Sequence, residues 1–112
     1  MKFNLFIVLL FFLLSQAYAD VVYEKLDEYD YSNRQYVSVS ITKKIETGDT
    51  EQLRNILNEI NQNNYRLKED SIYLNSIGGS IYEAKNMGHL IRQHHVATKV
   101  NENDTCESAC VF

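Results

Sequence analysis

The sequence predicts an α/β fold built from βαβ units around a parallel sheet. Residues 36–41 alternate apolar and polar side chains, as a half-buried strand does. Residues 53–60 carry apolar side chains at helical spacing, and the short apolar run 71–74 between polar flanks is typical of a buried strand. A second amphipathic stretch and a third strand pattern follow. Strands that alternate with helices form right-handed crossovers and a parallel sheet.

The first 19 residues have the three parts of a signal peptide. Lys2 supplies positive charge, residues 3–14 are almost wholly apolar, and Ala17–Ala19 supplies small residues before a cleavage point. The apolar run is shorter than the ~20 residues that a membrane-spanning helix needs. We therefore expect export to the periplasm or the medium after cleavage near Ala19. The alternative is an uncleaved signal segment that anchors the chain in a membrane.

The segment 20–35 separates the signal peptide from the predicted domain at 36–112. It is acidic and rich in tyrosine, and its apolar residues follow no clean period. We interpret it as a leader or an edge segment. The first strand of the domain then begins at Tyr36, where the alternating pattern starts.

A first helix is predicted to begin at Asp49. Gln52 stands three residues later, so the two side chains match the capping-box pattern. The asparagine-rich stretch 61–64 ends the helix. Its apolar stripe belongs to the core and carries no functional meaning; the stripe consists of Leu53, Ile56, Leu57 and Ile60.

Two adjacent glycines, Gly78 and Gly79, follow the second strand. A second helix is predicted from Ser80 to about His94, and a third strand at 96–100. Glycine accepts positive φ and lets a ligand approach the backbone closely, while the first N–H groups of a helix are unpaired. The pattern therefore suits an oxyanion or an anionic ligand, although a simple turn is its commoner meaning.

The net charge and the two cysteines restrict the ligands and partners that the chain is expected to bind. The net charge of −4 without a basic stripe argues against nucleic acid. Cys106 and Cys110 allow a disulfide, two buried free thiols or a metal pair, and the metal pair is weakest because no histidine follows at ligand spacing. On a regular helix their Cα atoms would be about 6 Å apart with poorly directed Cβ atoms. We expect neither a metal nor a cofactor.

Two segments together resemble the ClpP-type serine proteases of the ClpP/crotonase superfamily, and above all an uncharacterised group of exported bacterial relatives. Residues 74–84, LNSIGGSIYEA, are similar to the N-S-P-G-G segment of that family. Residues 106–110, CESAC, are similar to the segment that carries its nucleophilic serine. Ser108 stands 29 positions after Gly79, which is the separation that the family uses. The resemblance covers about residues 37–112.

The resemblance implies a role for each residue of the two segments. Ser108 would be the nucleophile at the start of a helix, and the backbone N–H groups of Gly79 and Ala109 would form the oxyanion hole. Gly78 would shape the turn. Ile77 stands where the family has proline, so the turn loses a fixed φ and gains an N–H to be satisfied. Without the resemblance, a helix N-cap is the simpler role for Ser108.

The base that a serine nucleophile needs has no counterpart in the sequence. In the family, the histidine and the aspartate follow the serine, which here places them past Phe112. Because the chain also ends inside an apolar segment, we expect a domain truncated before its base. His89, His94 and His95 match no family position, and surface roles are simpler for them. No lysine matches the base of signal peptide peptidase A, a related exported peptidase.

The sequence therefore predicts an exported serine-type peptidase domain that acts on a peptide or protein substrate. The alternative is a non-catalytic periplasmic binding or assembly domain that keeps the fold. Acyl-CoA chemistry, as in crotonases, is disfavoured because exported proteins do not normally meet CoA. ClpP-like folds commonly assemble into rings, so the resemblance allows a homo-oligomer.

Overall fold

The computed structural model describes residues 21–111, and the predicted signal peptide lies outside them. Within this range five strands form one sheet, and two helices pack against it. Neither helix is long and apolar enough to span a membrane. The elements are β1 (Val21–Tyr29), β2 (Gln35–Ile45), α1 (Asp49–Gln62), β3 (Arg66–Leu67), β4 (Ser71–Gly79), α2 (Ile81–Gln93) and β5 (Ala97–Lys99).

The sheet is mixed rather than wholly parallel. Its strand order is β1-β2-β4-β5, with β3 paired to β2. The strands β2, β4 and β5 are parallel and separated by the two helices, which confirms the predicted α/β alternation. The expectation of a purely parallel sheet is wrong at β1, which runs antiparallel to β2. A short turn joins these two strands, and such a turn can only return the chain antiparallel.

The acidic segment supplies the edge strand β1. Val21 is buried and Tyr23 packs against the core, whereas most other side chains of the strand are exposed or half-buried. Only these positions near its start contribute apolar surface to the core, and this explains the absence of a clean period in the sequence.

The turn between β1 and β2 is built around the carboxylate of Asp30, whose side chain is 1% exposed. Its Oδ1 accepts hydrogen bonds from the backbone N–H groups of Ser32 (2.9 Å) and Arg34 (2.8 Å). Its Oδ2 accepts from Arg34 Nε at 2.9 Å and from Arg66 Nη1 at 3.3 Å. Burial raises the pKa of Asp30, but these hydrogen bonds outweigh it and the pKa lies below its ordinary value.

The core lies between the sheet and the two helices. Val37 and Val39 of β2, Leu53 of α1 and Ile72 of β4 are fully buried in it. The predicted stripe of α1 is confirmed, since Leu53, Ile56, Leu57 and Ile60 are all buried.

The predicted capping box at the start of α1 is wrong. Gly48 occupies the N-cap position with φ +101, and Asp49 instead accepts a hydrogen bond from Glu46 N at 2.8 Å. The carboxylate at the helix start comes from α2, because Glu83 Oε1 accepts from Gly48 N at 3.1 Å and from Thr50 N at 2.9 Å. A contact between the two helices therefore caps α1, in place of the predicted contact between Asp49 and Gln52 within it.

Candidate functional site

The two glycines are the last residues of β4 rather than a turn that follows it. The sequence predicts a strand at 71–74, whereas β4 continues to Gly79 and remains paired with β2. Gly78 has φ +97 and Gly79 has φ +145, conformations that side chains rarely adopt. Ser80 follows directly as the N-cap of α2, and its hydroxyl accepts a hydrogen bond from Glu83 N at 3.1 Å. One residue therefore connects strand and helix.

Each glycine allows the close approach of a different neighbour. A β-carbon on Gly79 would lie 2.3 Å from the carbonyl oxygen of Ile45, so only glycine lets β2 come this close. A β-carbon on Gly78 would lie 2.8 Å from the β-carbon of Ser108 and 2.9 Å from the backbone nitrogen of Ala109. The structure thus brings together the two segments that the sequence singled out.

The end of β4 is also hydrogen-bonded to β2 through the residue that follows the glycine pair. Ser80 N donates to Ile45 O in β2 at 2.9 Å. The connection between β4 and α2 is therefore tied to the end of β2.

Ile77 is the extra residue of a β-bulge. Ser76 pairs with Lys43 and Gly78 pairs with Lys44, so Ile77 has no partner in the register. Its side chain is 63% exposed. A bulge bends its strand, and bulges are over-represented beside active sites. The position at which the family has proline is here an exposed bulge residue.

Ser76, which is not among the predicted site residues, joins the bulge to its surroundings. The side chain is 1% exposed. Its hydroxyl donates to Lys43 O at 2.6 Å and accepts from Gly78 N at 3.1 Å. Its main chain binds the serine segment, because Ser76 N donates to Thr105 O at 2.7 Å and Ser76 O accepts from Glu107 N at 3.1 Å. Ser76 therefore connects β2, the glycine pair and the serine segment.

The sequence did contain a signal for Ser76. Ile72 and Leu74 alternate toward the core, which makes Ser76 the polar residue on the apolar face of the strand. A buried hydroxyl on such a face needs hydrogen-bond partners, so the position indicates a structural or functional role.

Ser108 is exposed and has a left-handed backbone conformation, with φ +50. This conformation costs a non-glycine residue roughly 1–2 kcal/mol and persists where the surroundings enforce it, often at active sites. Cys106 pairs with Ser76 like a strand residue, and Ser108 then opens a 3-10 turn, Ser108–Val111.

The alternative role of Ser108 as a helix cap finds no support in the hydrogen bonds of the turn. Cys110 N donates to Glu107 O at 3.0 Å rather than to the serine hydroxyl. The described part of the expected helix is only the four-residue 3-10 turn, so the helix dipole that the resemblance implies is not seen within residues 21–111.

Ala109 lies between the glycine pair and an apolar cleft. Its side chain is 1% exposed, and its nitrogen faces Gly78. The cleft has a volume of about 670 Å³, and apolar side chains of the sheet and of α2, among them Leu74 and Met87, line it together with Ala109 and both cysteines. The cleft therefore adjoins the serine segment without being lined by Ser108 itself.

Cys106 and Cys110 form a disulfide with a Cα–Cα distance of 5.2 Å. The sequence left a disulfide, two free thiols and a metal pair open for these cysteines, and the structure contains the disulfide. The geometric objection to it assumed a regular helix, but one cysteine lies beside β4 and the other in a 3-10 turn. Within residues 21–111 no cysteine is free, and no cluster of metal-ligating side chains occurs.

The three histidines lie in different places. His95 lines the apolar cleft, His89 lines a groove between α1 and α2, and His94 is the C-cap of α2. Within the described part of the chain, none of them is hydrogen-bonded to the hydroxyl of Ser108. The candidate site thus joins a serine and backbone amides without a paired base.

No protein-family model, no curated protein and no solved structure matches this chain. The resemblance to ClpP-type proteins therefore rests on the two segments of the sequence and stays a prediction.

Proposed function

We propose that this chain carries the nucleophile and the oxyanion-binding amides of an exported ClpP-like serine peptidase. The contact between Gly78 and Ser108 is the observation that carries the proposal. This contact joins the two segments of the sequence on which the resemblance rests. Here the second motif closes directly on the first, and the serine is both exposed and held in a strained conformation.

In the proposed reaction, the Ser108 hydroxyl oxygen attacks the carbonyl carbon of a peptide bond while its proton passes to a base. The carbonyl oxygen becomes an oxyanion, which accepts hydrogen bonds from the N–H groups of Gly79 and Ala109. Loss of one such donor typically lowers the rate on the order of 10²–10³-fold. In the ClpP-like pattern the base follows the serine in the sequence. The proposal therefore assigns only the nucleophile, Ser108, and the two N–H donors of Gly79 and Ala109.

Labelling with a fluorophosphonate tests the nucleophile, because this reagent phosphonylates activated serines. In the ClpP-like pattern the base follows the serine, so this and the later labelling experiments use the protein produced from its full reading frame. We expect the wild type and Ser32→Ala, which alters an exposed serine in the β1–β2 turn, to be labelled alike. Ser108→Ala is expected to lose the label, and mass mapping is expected to find the adduct on Ser108. Equal labelling of all three proteins, or labelling of none, would contradict the proposal.

A non-catalytic binding or assembly domain is the second candidate, and the apolar surface beside the glycine pair favours it. Ile77, Ile81 and Tyr82 are 63%, 51% and 76% exposed. Clustered exposed apolar side chains commonly mark interaction surfaces. If this surface forms a homo-oligomer, sedimentation is expected to show concentration-dependent association that Tyr82→Glu weakens, with no Ser108-dependent labelling.

We also propose that the protein is exported through its N-terminal signal peptide. The N-terminal pattern predicts a cleaved signal peptide, and a disulfide persists in oxidising compartments such as the periplasm. N-terminal sequencing of the protein produced from its full reading frame is expected to begin at Asp20. Secreted material that begins at Met1 would contradict cleavage.

A further inference from the structure

We propose that the Cys106–Cys110 disulfide is a redox-controlled clamp that keeps Ser108 against the glycine pair, and that a dithiol reductant releases it. The clamp itself follows from the fold of the segment. Its consequence for catalysis rests on the proposed function.

The disulfide closes a loop of five residues with Ser108 at its centre. Cys106 is fixed to the sheet, because it pairs with Ser76 at the end of β4. Cys110 lies in the 3-10 turn beyond the serine. The bond therefore ties the turn back to the strand and limits the backbone conformations that Ser108 can adopt.

Besides the disulfide, hydrogen bonds to β4 and the buried side chain of Ala109 hold this loop in place. The preceding strand β5 has three residues, all exposed. The segment is attached to β4 by main-chain hydrogen bonds to Ser76 and by a bond from Thr105 N to Asn75 Oδ1 at 3.0 Å. Since the left-handed conformation of Ser108 is itself unfavourable, a cross-link across it adds a constraint that the backbone does not supply.

A small reductant can reach the bond. Both cysteines are half-buried and line the open apolar cleft. A dithiol attacks one sulfur as its thiolate, forms a mixed disulfide and then closes on itself, which leaves two protein thiols and one cyclic disulfide. Two electrons and two protons pass from the reductant to the protein. Oxidised glutathione, a disulfide oxidant, takes the same two electrons and two protons back from the two thiols and re-forms the clamp, so the change is reversible.

Amide hydrogen exchange on the whole protein, oxidised and after dithiothreitol, tests the clamp. The loop-closure entropy of five residues corresponds to roughly 30-fold in local opening. We expect the amides of Glu107 and Cys110 to exchange on the order of 10- to 30-fold faster after reduction, while those of Val39 and Ile72 in the central strands are unchanged. The double variant Cys106→Ser with Cys110→Ser is expected to show the exchange rates of the reduced protein, and dithiothreitol is expected not to change them.

Fluorophosphonate labelling of the same samples tests the control of the serine. We expect labelling of Ser108 to fall on reduction and to return on reoxidation. Unchanged exchange at Glu107 and Cys110, or faster exchange that extends to Val39 and Ile72, would overturn the clamp. Faster local exchange with unchanged Ser108 labelling would overturn its control of the serine. Absence of Ser108 labelling in both states would instead reject the proposed function, and the exchange data would still decide on the clamp.

Discussion

The β-carbon of Ser108 lies 2.8 Å from the place where a β-carbon on Gly78 would stand. A glycine in β4 and a serine 30 residues later therefore occupy adjoining space that no side chain could share. A β-carbon on Gly79 would lie closer still to the carbonyl oxygen of Ile45, at 2.3 Å. The Ser108 segment is thus packed directly against the backbone of β4.

Replacing Ser76 with alanine is expected to destabilise the fold. Its buried hydroxyl bonds Lys43 O and Gly78 N, and the substitution leaves both groups without this partner. We expect a loss of roughly 1–3 kcal/mol in the free energy of unfolding, measured by urea titration. Ser40→Ala, on the half-buried face of β2, is the control and is expected to change it by no more than about 0.5 kcal/mol. Equal effects of the two variants would contradict the role assigned to Ser76.

Removing the carboxylate of Glu83 is expected to weaken the start of α1. Glu83→Ala deprives Gly48 N and Thr50 N of their acceptor and is expected to cost roughly 1–3 kcal/mol of unfolding free energy. Glu83→Gln keeps an acceptor oxygen of the same shape, so we expect it to lose distinctly less. Thermal unfolding of both variants measures the difference. A glutamine variant as unstable as the alanine variant would show that charge, rather than hydrogen bonding, caps the helix.

Asp30 is expected to give the fold an acid-sensitive component. Its pKa in the folded protein lies below the ordinary value of 3.8, so between these two values the unfolded chain binds more protons than the folded one. The stabilisation is therefore present above pH 3.8 and is lost as the pH falls through the folded pKa. Urea midpoints recorded from pH 6 down to pH 2 are expected to fall less steeply for Asp30→Asn than for the wild type. Parallel profiles would contradict this.

The central α/β alternation could be predicted because its signals are local. The alternating residues 36–41 and the stripe that begins at Leu53 each follow the period of one element, and burial enforces that period. The contact between the glycine pair and Ser108 was predictable only through the resemblance, since no local period relates two segments so far apart.

The remaining features depend on contacts between distant residues. The predicted capping box is absent because the side chain of Glu83, on α2, accepts the hydrogen bonds from the backbone N–H groups at the start of α1. The strand β1 has few core positions, which left no period to detect. The role of Ser76 depends on hydrogen bonds to Lys43 and Gly78, although its place on an apolar strand face is a local signal. Helical spacing disfavours the disulfide, but Cys106 lies beside β4 and Cys110 in a 3-10 turn, where the bond can form.

The rate of fluorophosphonate labelling of Gly78→Ala, compared with Gly48→Ala, tests the account most directly. Both glycines have φ near +100, so each substitution carries a similar backbone cost of roughly 1–2 kcal/mol. Only at Gly78 does the new β-carbon meet the serine segment, whereas at Gly48 it meets nothing within 4 Å. Because a displacement of about 1 Å can cost on the order of 10²-fold in rate, we expect Ser108 labelling to drop by this factor in Gly78→Ala and to stay near wild type in Gly48→Ala. Equal labelling rates in the two variants would contradict the claim that the glycine pair positions the serine.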